Sequence, residues 1–129
     1  MNVLPIKTKS KHYNIYIGNN IIPRIKKIIK NEKIYFEKYL IIVDKKVPKT
    51  FLNKINANLN YKKKLIYFFN PSEKNKNLRY VNNILNLLFK NNFNRNDVII
   101  CLGGGIAGDI TGFAASIYKR GIRFINIPS

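Results

Sequence analysis

The chain has few acidic, sulfur-containing and imidazole side chains. Its 129 residues include six acids, one cysteine, one methionine, one histidine and no tryptophan. A single cysteine excludes an intrachain disulfide and any metal site built from paired cysteines. No apolar run approaches the roughly 18 residues of a membrane span, and the N-terminus has no apolar segment of the secretory-signal type. These absences predict a cytoplasmic protein that is not attached to a membrane.

The two rarest reactive side chains lie in unremarkable surroundings. Cys101 stands in the apolar run VIICL with no cation beside it, so we predict a buried core residue rather than a reactive thiol. His12 lies in a polar N-terminal stretch, and we predict that it is on the surface. Neither residue is a candidate for catalysis or for binding a metal.

Positive charge is what the chain has in excess. It carries 24 basic and six acidic residues, a net charge of +18. Clustered cations bind nucleic acids by releasing counterions from phosphates, but here the lysines are scattered among abundant Asn and Ile. All three residue types have A/T-rich codons, so we attribute the composition to mutational drift and expect no specific nucleic-acid partner. The runs Lys26-Lys27 and Lys62-Lys63-Lys64 are then solvated faces.

Apolar runs and helical patterns alternate along the chain. Continuous apolar runs are typical of strands buried on both faces of a parallel sheet, and they occur at residues 39–43, 65–69 and 98–102. Residues 124–127 are predicted as a further strand. Stretches with helical spacing of apolar residues lie before and between them, at 21–29, 51–59, 78–88 and 106–118. Asn19 or Asn20 is a candidate cap for the first helix, which has Pro23 in its first turn.

This alternation predicts the fold class. We expect an α/β fold with a Rossmann-like, open and mostly parallel sheet and helices on both of its faces. Two β-prone runs at residues 3–6 and 13–17 add a hairpin or two edge strands at the N-terminus. No linker or internal repeat divides the chain, so residues 1–129 form one domain.

Ligands of such sheets bind beyond the carboxyl ends of the strands. Three loops meet this condition: the one at Asp44, the one at residues 70–76, and Gly103-Gly104-Gly105. Glycines between a buried strand and a helix let the backbone approach a ligand, and the N-terminus of that helix suits a pyrophosphate. Gly108 and Gly112 share one helix face, where another backbone or a cofactor can come close. The alternative is a structural turn followed by a tightly packed helix.

Three of the six acids fall at this predicted edge. Asp44 ends a strand, where a carboxylate can bind ribose hydroxyls or act as a solvated turn residue. Glu73 and Lys76 are three residues apart and could form a surface pair at a helix start. Asp109 lies one turn into the helix after the glycines, near the mouth of the site. Arg120, between a helix end and Gly121, could contact an anionic substrate such as a phosphate.

At this point a family resemblance becomes clear. The segment GGGIAGDITGFAASIYKRGIRFINIPS resembles, over about 27 residues, the signature of the 3-dehydroquinate synthases. The spacing of Asp44 and of Glu73-x-x-Lys76 also agrees with that family. The resemblance implies a substrate-phosphate contact from Arg120, made across a dimer interface. It also implies NAD contacts from Asp44, Glu73, Lys76, Gly104, Gly105, Ile106, Ala107, Gly108, Asp109 and Ser129.

The resemblance further implies an activity. The family uses NAD to convert 3-deoxy-arabino-heptulosonate 7-phosphate to 3-dehydroquinate with elimination of phosphate, as a homodimer. The chain departs from the family in the loop at Pro71-Ser72-Glu73, which lacks the usual acid and glycine before the glutamate. It also lacks the helical domain that holds zinc or cobalt with one Glu and two His. We therefore expect no catalytic residue and no metal ligand here, and no activity from this chain alone.

Other interpretations stay open. We expect residues 1–129 to be an NAD-binding N-terminal domain. The chain is then either a fragment of a longer protein or a truncated, non-catalytic gene product. A related sugar-phosphate cyclase is a further alternative. A polyol dehydrogenase domain is another, although residues 113–122 argue against it. A basic nucleic-acid binder is the remaining one.

Overall fold

The computed structural model describes residues 1–59 and 63–129. The described strands are β1 (Asn2–Lys7), β2 (His12–Ile17), β3 (Lys38–Asp44), β4 (Lys63–Phe69), β5 (Val98–Gly103) and β6 (Arg123–Pro128). The α helices are α1 (Ile25–Asn31), α2 (Lys49–Asn58), α3 (Leu78–Lys90) and α4 (Gly105–Ile117). The predicted alternation of strands and helices is confirmed.

The strands form two separate sheets. β3 to β6 make a four-stranded sheet in the order β4-β3-β5-β6, and all of its neighbouring strands are parallel. β3 and β5 lie in the middle, and their apolar runs are buried along almost their whole length, as expected of central parallel strands. β1 and β2 pair antiparallel in a hairpin of their own, which confirms the predicted N-terminal hairpin.

Helices cover both faces of the parallel sheet, as predicted. Alternate residues of β3 and β5 point to opposite sides. The side covered by α3 and α4 receives Leu40, Ile42, Ile99 and Cys101. The side covered by α1 and α2 receives Tyr39, Ile41, Val43, Val98, Ile100 and Leu102. Cys101 is fully buried, which confirms the prediction of a core residue.

The start of the first helix differs from the prediction. A 3₁₀ turn at Ile22–Arg24 precedes α1, with Pro23 inside it and no side chain capping its start. Asn19 and Asn20 do not cap the helix, because Asn20 has a φ of 54° and forms a left-handed turn instead. The 3₁₀ turn follows that left-handed turn and has Ile21 as its N-cap residue.

A network around a buried carboxylate lies at the amino end of the parallel sheet. Asp97 is 1% exposed. Its oxygens accept hydrogen bonds from the backbone N–H groups of Lys38 at 3.1 Å and Asn94 at 2.9 Å. The Lys38 ammonium lies 3.9 Å from the same carboxylate and donates to the carbonyls of Asn91 and Asn92. The network ties β3 to the α3–β5 connection.

The remaining surface predictions concern isolated polar residues. His12 is exposed, as are Lys26, Lys27, Lys63 and Lys64, in agreement with the sequence. Lys62 lies outside the described residues. No helix in the part of the chain that the structure covers is both long and apolar enough to span a membrane.

Candidate functional site

The four parallel strands end at the same level. Asp44 at the end of β3 is in register with Phe69 at the end of β4, and Gly103 at the end of β5 is in register with Pro128 of β6. The backbone N–H of Ser129 donates to the Gly103 carbonyl at 3.1 Å. The loops after β3, β4 and β5 and the residue after β6 therefore share the carboxyl edge of the sheet, as the sequence predicts.

The glycine loop leaves the start of α4 open. Gly104 is the N-cap residue, with φ −79° and ψ −168°, and no side chain caps this end of the helix. A Cβ atom added to Gly104 or to Gly105 would meet no atom within 4 Å. The first backbone N–H groups of a helix have no intrahelical partner and carry a partial positive charge. The loop therefore presents free donors to an open space, which is the arrangement that binds phosphate groups.

Gly103 has a different role from the two glycines after it. It is buried, and a Cβ atom there would lie 2.6 Å from the Asp44 Cβ and 3.1 Å from the Ala107 Cβ. Only a residue without a side chain fits between β3 and α4 at this point. The sequence places Gly103 in the triplet but does not indicate this supporting role, because its neighbour Asp44 is distant in the chain.

Asp44 is held at the edge with one oxygen engaged. The side chain is 6% exposed, and its Oδ1 accepts a hydrogen bond from the Lys46 N–H at 2.7 Å. Its Oδ2 accepts no hydrogen bond from the described residues. A buried carboxylate with an unused acceptor is suited to a hydroxyl donor.

A cavity of about 450 Å³ lies beside Asp44. Its apolar walls are Val43, Val47, Leu52 and Phe68, while Asp44, Lys45 and Lys49 are its polar members. Concave sites with mostly apolar walls and a few polar groups are typical of small-molecule binding. Phe68 is 51% exposed, so part of this apolar surface is available to a ligand. Sequence patterns alone did not indicate this cavity.

The loop after β4 is fixed by its own hydrogen bonds. Glu73–Asn75 form a 3₁₀ turn, which Ser72 caps by accepting from the Asn75 N–H at 3.2 Å. Asn77 caps α3 by accepting from the N–H groups of Arg79 at 3.0 Å and Tyr80 at 3.4 Å. Side chains that differ from the family pattern thus give the loop a defined conformation through the usual capping contacts.

Lys76 and Asp109 join this loop to α4. The Lys76 Nζ lies 2.8 Å from the Asp109 Oδ2, and both side chains are exposed. The hydrogen bond that Lys76 donates to Asp109 raises the pKa of Lys76, with smaller contributions from the charges of Asp109 and Glu73. The described residues contain no ion pair between Glu73 and Lys76, which the sequence offered as a possible surface pair. Lys76 instead pairs with Asp109, 33 positions further along the chain.

Gly108 and Gly112 lie against side chains of the edge strand β6. A Cβ atom at Gly108 would lie 3.5 Å from the Asn126 Oδ1, and one at Gly112 would lie 3.2 Å from the Phe124 Cε1. The sequence predicts that another backbone or a cofactor comes close at this helix face, whereas the neighbours of both glycines are side chains of β6. The glycines let α4 pack closely on the sheet, which fixes where the helix starts.

Arg120 lies far from the other predicted site residues. α4 carries the chain from the carboxyl edge back to the amino edge, about 20 Å for its 13 residues. Arg120 follows the helix, with φ 66°, next to Lys119 with φ 45° and Gly121 with φ 116°. Its exposed side chain is thus held by an unusual backbone turn at the opposite end of the sheet. It does not converge with Asp44, the glycine loop or Ser129 of its own chain.

No group of three or more His, Cys, Asp and Glu side chains in the described ranges could hold a metal ion. Burial raises the pKa of Cys101 to about 11, so its thiol is not a ligand or nucleophile at neutral pH. The residues present do not fit the divalent metal that the resemblance implies for the full-length family.

The fold and the glycine loop define an α/β domain of the Rossmann-like class. Residues 66–129 match the model of the 3-dehydroquinate synthase N-terminal family. The 3-dehydroquinate synthase of Pelagibacter ubique (strain HTCC1062) is 47% identical over 126 residues, which are 98% of this chain and 34% of that protein. That of Bacillus cytotoxicus is 33% identical over 130 residues, 100% of this chain and 35% of that protein. The chain thus spans about a third of these relatives.

A solved structure agrees with the sequence relatives. A 2-deoxy-scyllo-inosose synthase complexed with carbaglucose-6-phosphate, NAD+ and Co2+ is 25% identical, with a TM-score of 0.85 over 98% of this chain and 35% of that one. The chain therefore belongs to the 3-dehydroquinate synthase family, and it corresponds to the N-terminal portion of that family.

Proposed function

We propose that this chain binds NAD at the carboxyl edge of its sheet and supplies the NAD-binding part of a 3-dehydroquinate synthase. The reaction is the NAD-dependent conversion of 3-deoxy-arabino-heptulosonate 7-phosphate to 3-dehydroquinate with elimination of phosphate. The observation that carries the proposal is the open start of α4 over Gly104 and Gly105. NAD, when bound, accepts and returns a hydride; the residues of this chain bind and orient it.

The glycine loop is the proposed pyrophosphate site. The backbone N–H groups of Gly104 to Ala107 lie beside the open space at Gly104 and Gly105, where an added Cβ meets no atom. The Gly108 N–H donates to the Gly104 carbonyl at 3.0 Å, so Gly108 contributes by its lack of a side chain. A dinucleotide pyrophosphate carries negative charge and several acceptor oxygens, so it matches free helix donors in charge and hydrogen bonding. Ile106 and Ala107 contribute through their backbone, and Asp109 borders the site one turn further along α4.

The cavity beside Asp44 is the proposed adenosine site. Its volume of about 450 Å³ and its apolar walls are suited to a flat aromatic base. Asp44 borders this cavity and has one unused carboxylate oxygen, which can accept a hydrogen bond from a ribose hydroxyl. Glu73 and Lys76 lie in the next loop along the edge, and the Lys76–Asp109 contact holds that loop against the glycine site. Ser129 places a hydroxyl on the other side of the glycine loop.

For Arg120 we propose a substrate contact in a second copy of the chain. Its place at the amino edge prevents a contact with a phosphate bound at the carboxyl edge of its own chain. A substrate contact by Arg120 therefore requires a homodimer in which Arg120 reaches the site of the other copy. The fixed backbone turn at Lys119 to Gly121 supports a specific role for this side chain, because such conformations cluster where function requires them.

We propose no metal-binding role for this chain, because the described residues include no group of side chains that could hold a metal ion. The proposed substrate class is a phosphorylated small molecule. We also propose a cytoplasmic location for the chain, which agrees with its free, buried Cys101. A second candidate is a related sugar-phosphate cyclase, which the similarity to 2-deoxy-scyllo-inosose synthase favours.

Calorimetric titration of NAD into the purified chain tests the proposal. We expect saturable binding of one NAD per chain. Gly105→Ala should weaken binding at least about 10-fold, since its Cβ takes up the space for the phosphates. Arg120→Gln, at the other end of the sheet, is the matched control and should bind NAD like the wild type.

Two results would contradict parts of the proposal. Absence of saturable binding at millimolar NAD, together with salt-sensitive binding to DNA, would favour a basic nucleic-acid binder. Release of phosphate from the heptulosonate phosphate by this chain alone would refute the expectation that it lacks catalytic residues.

A further inference from the structure

A second cavity lies at the amino end of the parallel sheet, away from the glycine loop. It has a volume of about 450 Å³ and opens between the start of β4 and the connection from α3 to β5. Its polar lining residues are Lys38, Lys63, Lys64, Lys90, Asn91 and Asn92, and no acid of the described chain is among them. The length of β4 separates it from the carboxyl edge, roughly 20 Å for seven residues. The cavity therefore gathers positive charge where the proposed NAD site does not reach.

One of these lysines has a structural role. The Lys38 ammonium donates to the carbonyls of Asn91 and Asn92 just beyond α3 and lies 3.9 Å from the buried Asp97 carboxylate. Cations at a helix C-terminus compensate the partial negative charge of its last carbonyls, and Lys38 supplies that cation here. The other lysines of the cavity are not needed for this purpose.

Lys63 and Lys90 add two charges without a counter-charge. Lys63 is in register with Lys38 at the start of the two strands, so both side chains leave the same face of the sheet. Lys90 is the last residue of α3 and lies on the helix side of the cavity. Neither ammonium has an ion pair or a hydrogen bond with the described residues. Like charges that line one cavity repel each other, and an anion bound between them would relieve this repulsion.

The rest of the lining adds a donor and an apolar wall. The Asn91 amide is engaged with the Leu87 carbonyl at 2.8 Å. The Asn92 amide has no partner among the described residues, so its N–H groups can donate to a ligand. The ring of Phe93, 5.3 Å from the Lys38 ammonium, forms part of the wall. A concave site with a few converging donors suits a small anion, whereas duplex DNA binds to extended basic surfaces.

We propose that this cavity binds a small polyphosphate, with the Lys63 and Lys90 ammonium groups and the Asn92 amide as its donors. Hydrogen bonds between an ammonium group and a phosphate oxygen are about twice as strong as neutral ones. A terminal phosphate group carries about −1.5 to −2 charges at neutral pH, which matches two unpaired lysines. The phosphates of NAD are diesters, which carry less charge, so NAD is not the ligand expected here. The inference does not depend on NAD binding, which is proposed for the other end of the sheet.

Amide NMR spectra of the purified chain, titrated with inorganic pyrophosphate at about 150 mM salt to screen long-range attraction, test the site residue by residue. We expect saturable shifts of the amide signals of residues 63–65 and 90–93. Shifts at residues 103–107 report binding to the glycine loop and are fitted separately. Lys63→Gln and Lys90→Gln should each raise the dissociation constant of the amino-end site about 5-fold. Lys27→Gln, which removes the same charge from the exposed face of α1, is the matched control and should bind like the wild type.

Four outcomes would overturn the proposal. The first is the absence of saturable shifts at residues 63–65 and 90–93 up to about 10 mM pyrophosphate; shifts confined to the glycine loop would have the same meaning and leave the NAD proposal intact. The second is an unchanged dissociation constant in both cavity variants. The third is an equal loss in Lys27→Gln, which would attribute binding to the net charge of +18.

The fourth outcome concerns nucleic acid. If a DNA duplex shifts the same signals at a lower concentration than pyrophosphate, this surface is a nucleic-acid interface and the proposal is wrong. Circular dichroism checks the fold of each variant. Lys63 and Lys90 are exposed, so both variants should fold, and Lys38 is kept because its side chain belongs to the network around Asp97.

Discussion

The two ends of the parallel sheet are built from different kinds of residue. At the amino end, Asp97 is buried among N–H donors, and the Tyr118 hydroxyl donates to the carbonyls of Leu88 at 3.2 Å and Phe93 at 2.7 Å. At the carboxyl end, Gly104 and Gly105 leave donors and space unused, and Asp44 has a free carboxylate oxygen. The buried Asp97 and Tyr118 at the amino end are satisfied internally, whereas the carboxyl end has donors and an acceptor without a partner among the described residues.

The largest expected effect lies at the amino end. Asp97→Ala removes the acceptor for the Lys38 and Asn94 N–H groups and should lower the free energy of unfolding by about 3 kcal/mol. Urea unfolding followed by circular dichroism measures this change. NAD affinity of the folded protein should stay the same. A large loss of NAD affinity without a loss of stability would contradict the assignment of stability to the amino end and of NAD binding to the carboxyl end.

Cys101, in the interior of the sheet between the two ends, gives a pH test. Burial raises its pKa to about 11, so folding favours the protonated thiol. That stability is present below the pKa of the unfolded thiol and is lost as pH rises toward the folded pKa. The free energy of unfolding should therefore fall between about pH 9 and pH 11 by about 2 kcal/mol more in the wild type than in Cys101→Ala. Parallel pH profiles of the two proteins would contradict a buried thiol.

Gly103 is a buried residue of the carboxyl end, and its lack of a side chain leaves room for Asp44. In Gly103→Ala the new Cβ would lie 2.6 Å from the Asp44 Cβ, which should cost about 2 kcal/mol of stability through overpacking and displace Asp44. Both the urea midpoint and NAD affinity should fall. Gly105→Ala should change only the affinity, because its Cβ meets no atom. Equal stability losses in the two variants would sink the distinction between the two glycines.

The smallest expected effect is at the exposed ion pair of the open end. Asp109→Asn removes the charge that faces Lys76 at 2.8 Å, yet both side chains are solvated, and such pairs add little to stability. The urea midpoint should not change measurably. The pKa of Lys76, followed by NMR, should fall toward its ordinary value because Asp109 is the main cause of its increase. An unchanged pKa would show that the contact does not form in solution.

Local patterns in the sequence predicted much of this arrangement. The apolar runs of β3 and β5 indicated buried parallel strands, and the glycines after β5 indicated an open helix start, because both features depend on neighbouring residues. The Lys76–Asp109 contact joins residues 33 positions apart, and no local pattern could have indicated it. The same holds for the contact between Gly103 and Asp44.

The distance between Arg120 and the carboxyl edge could not be predicted from its position in the sequence. Arg120 is nine residues before Ser129, but the family resemblance implied a phosphate contact from Arg120 across a dimer interface and an NAD contact from Ser129. The short strand β6 between them runs the full height of the sheet, so the two residues lie at opposite ends. The Asn19 or Asn20 cap failed for a local reason, since the turn before Ile21 uses Asn20 in a left-handed conformation.

Amide hydrogen exchange of the chain with and without saturating NAD tests the central claim most directly. Exchange reports on the opening of individual segments, so it compares the two ends in one experiment. We predict slower exchange at residues 44–47, 70–76 and 103–109, with no change at residues 91–97 and 118–123. Protection confined to the amino end, or no protection at the glycine loop when NAD is bound, would contradict the claim.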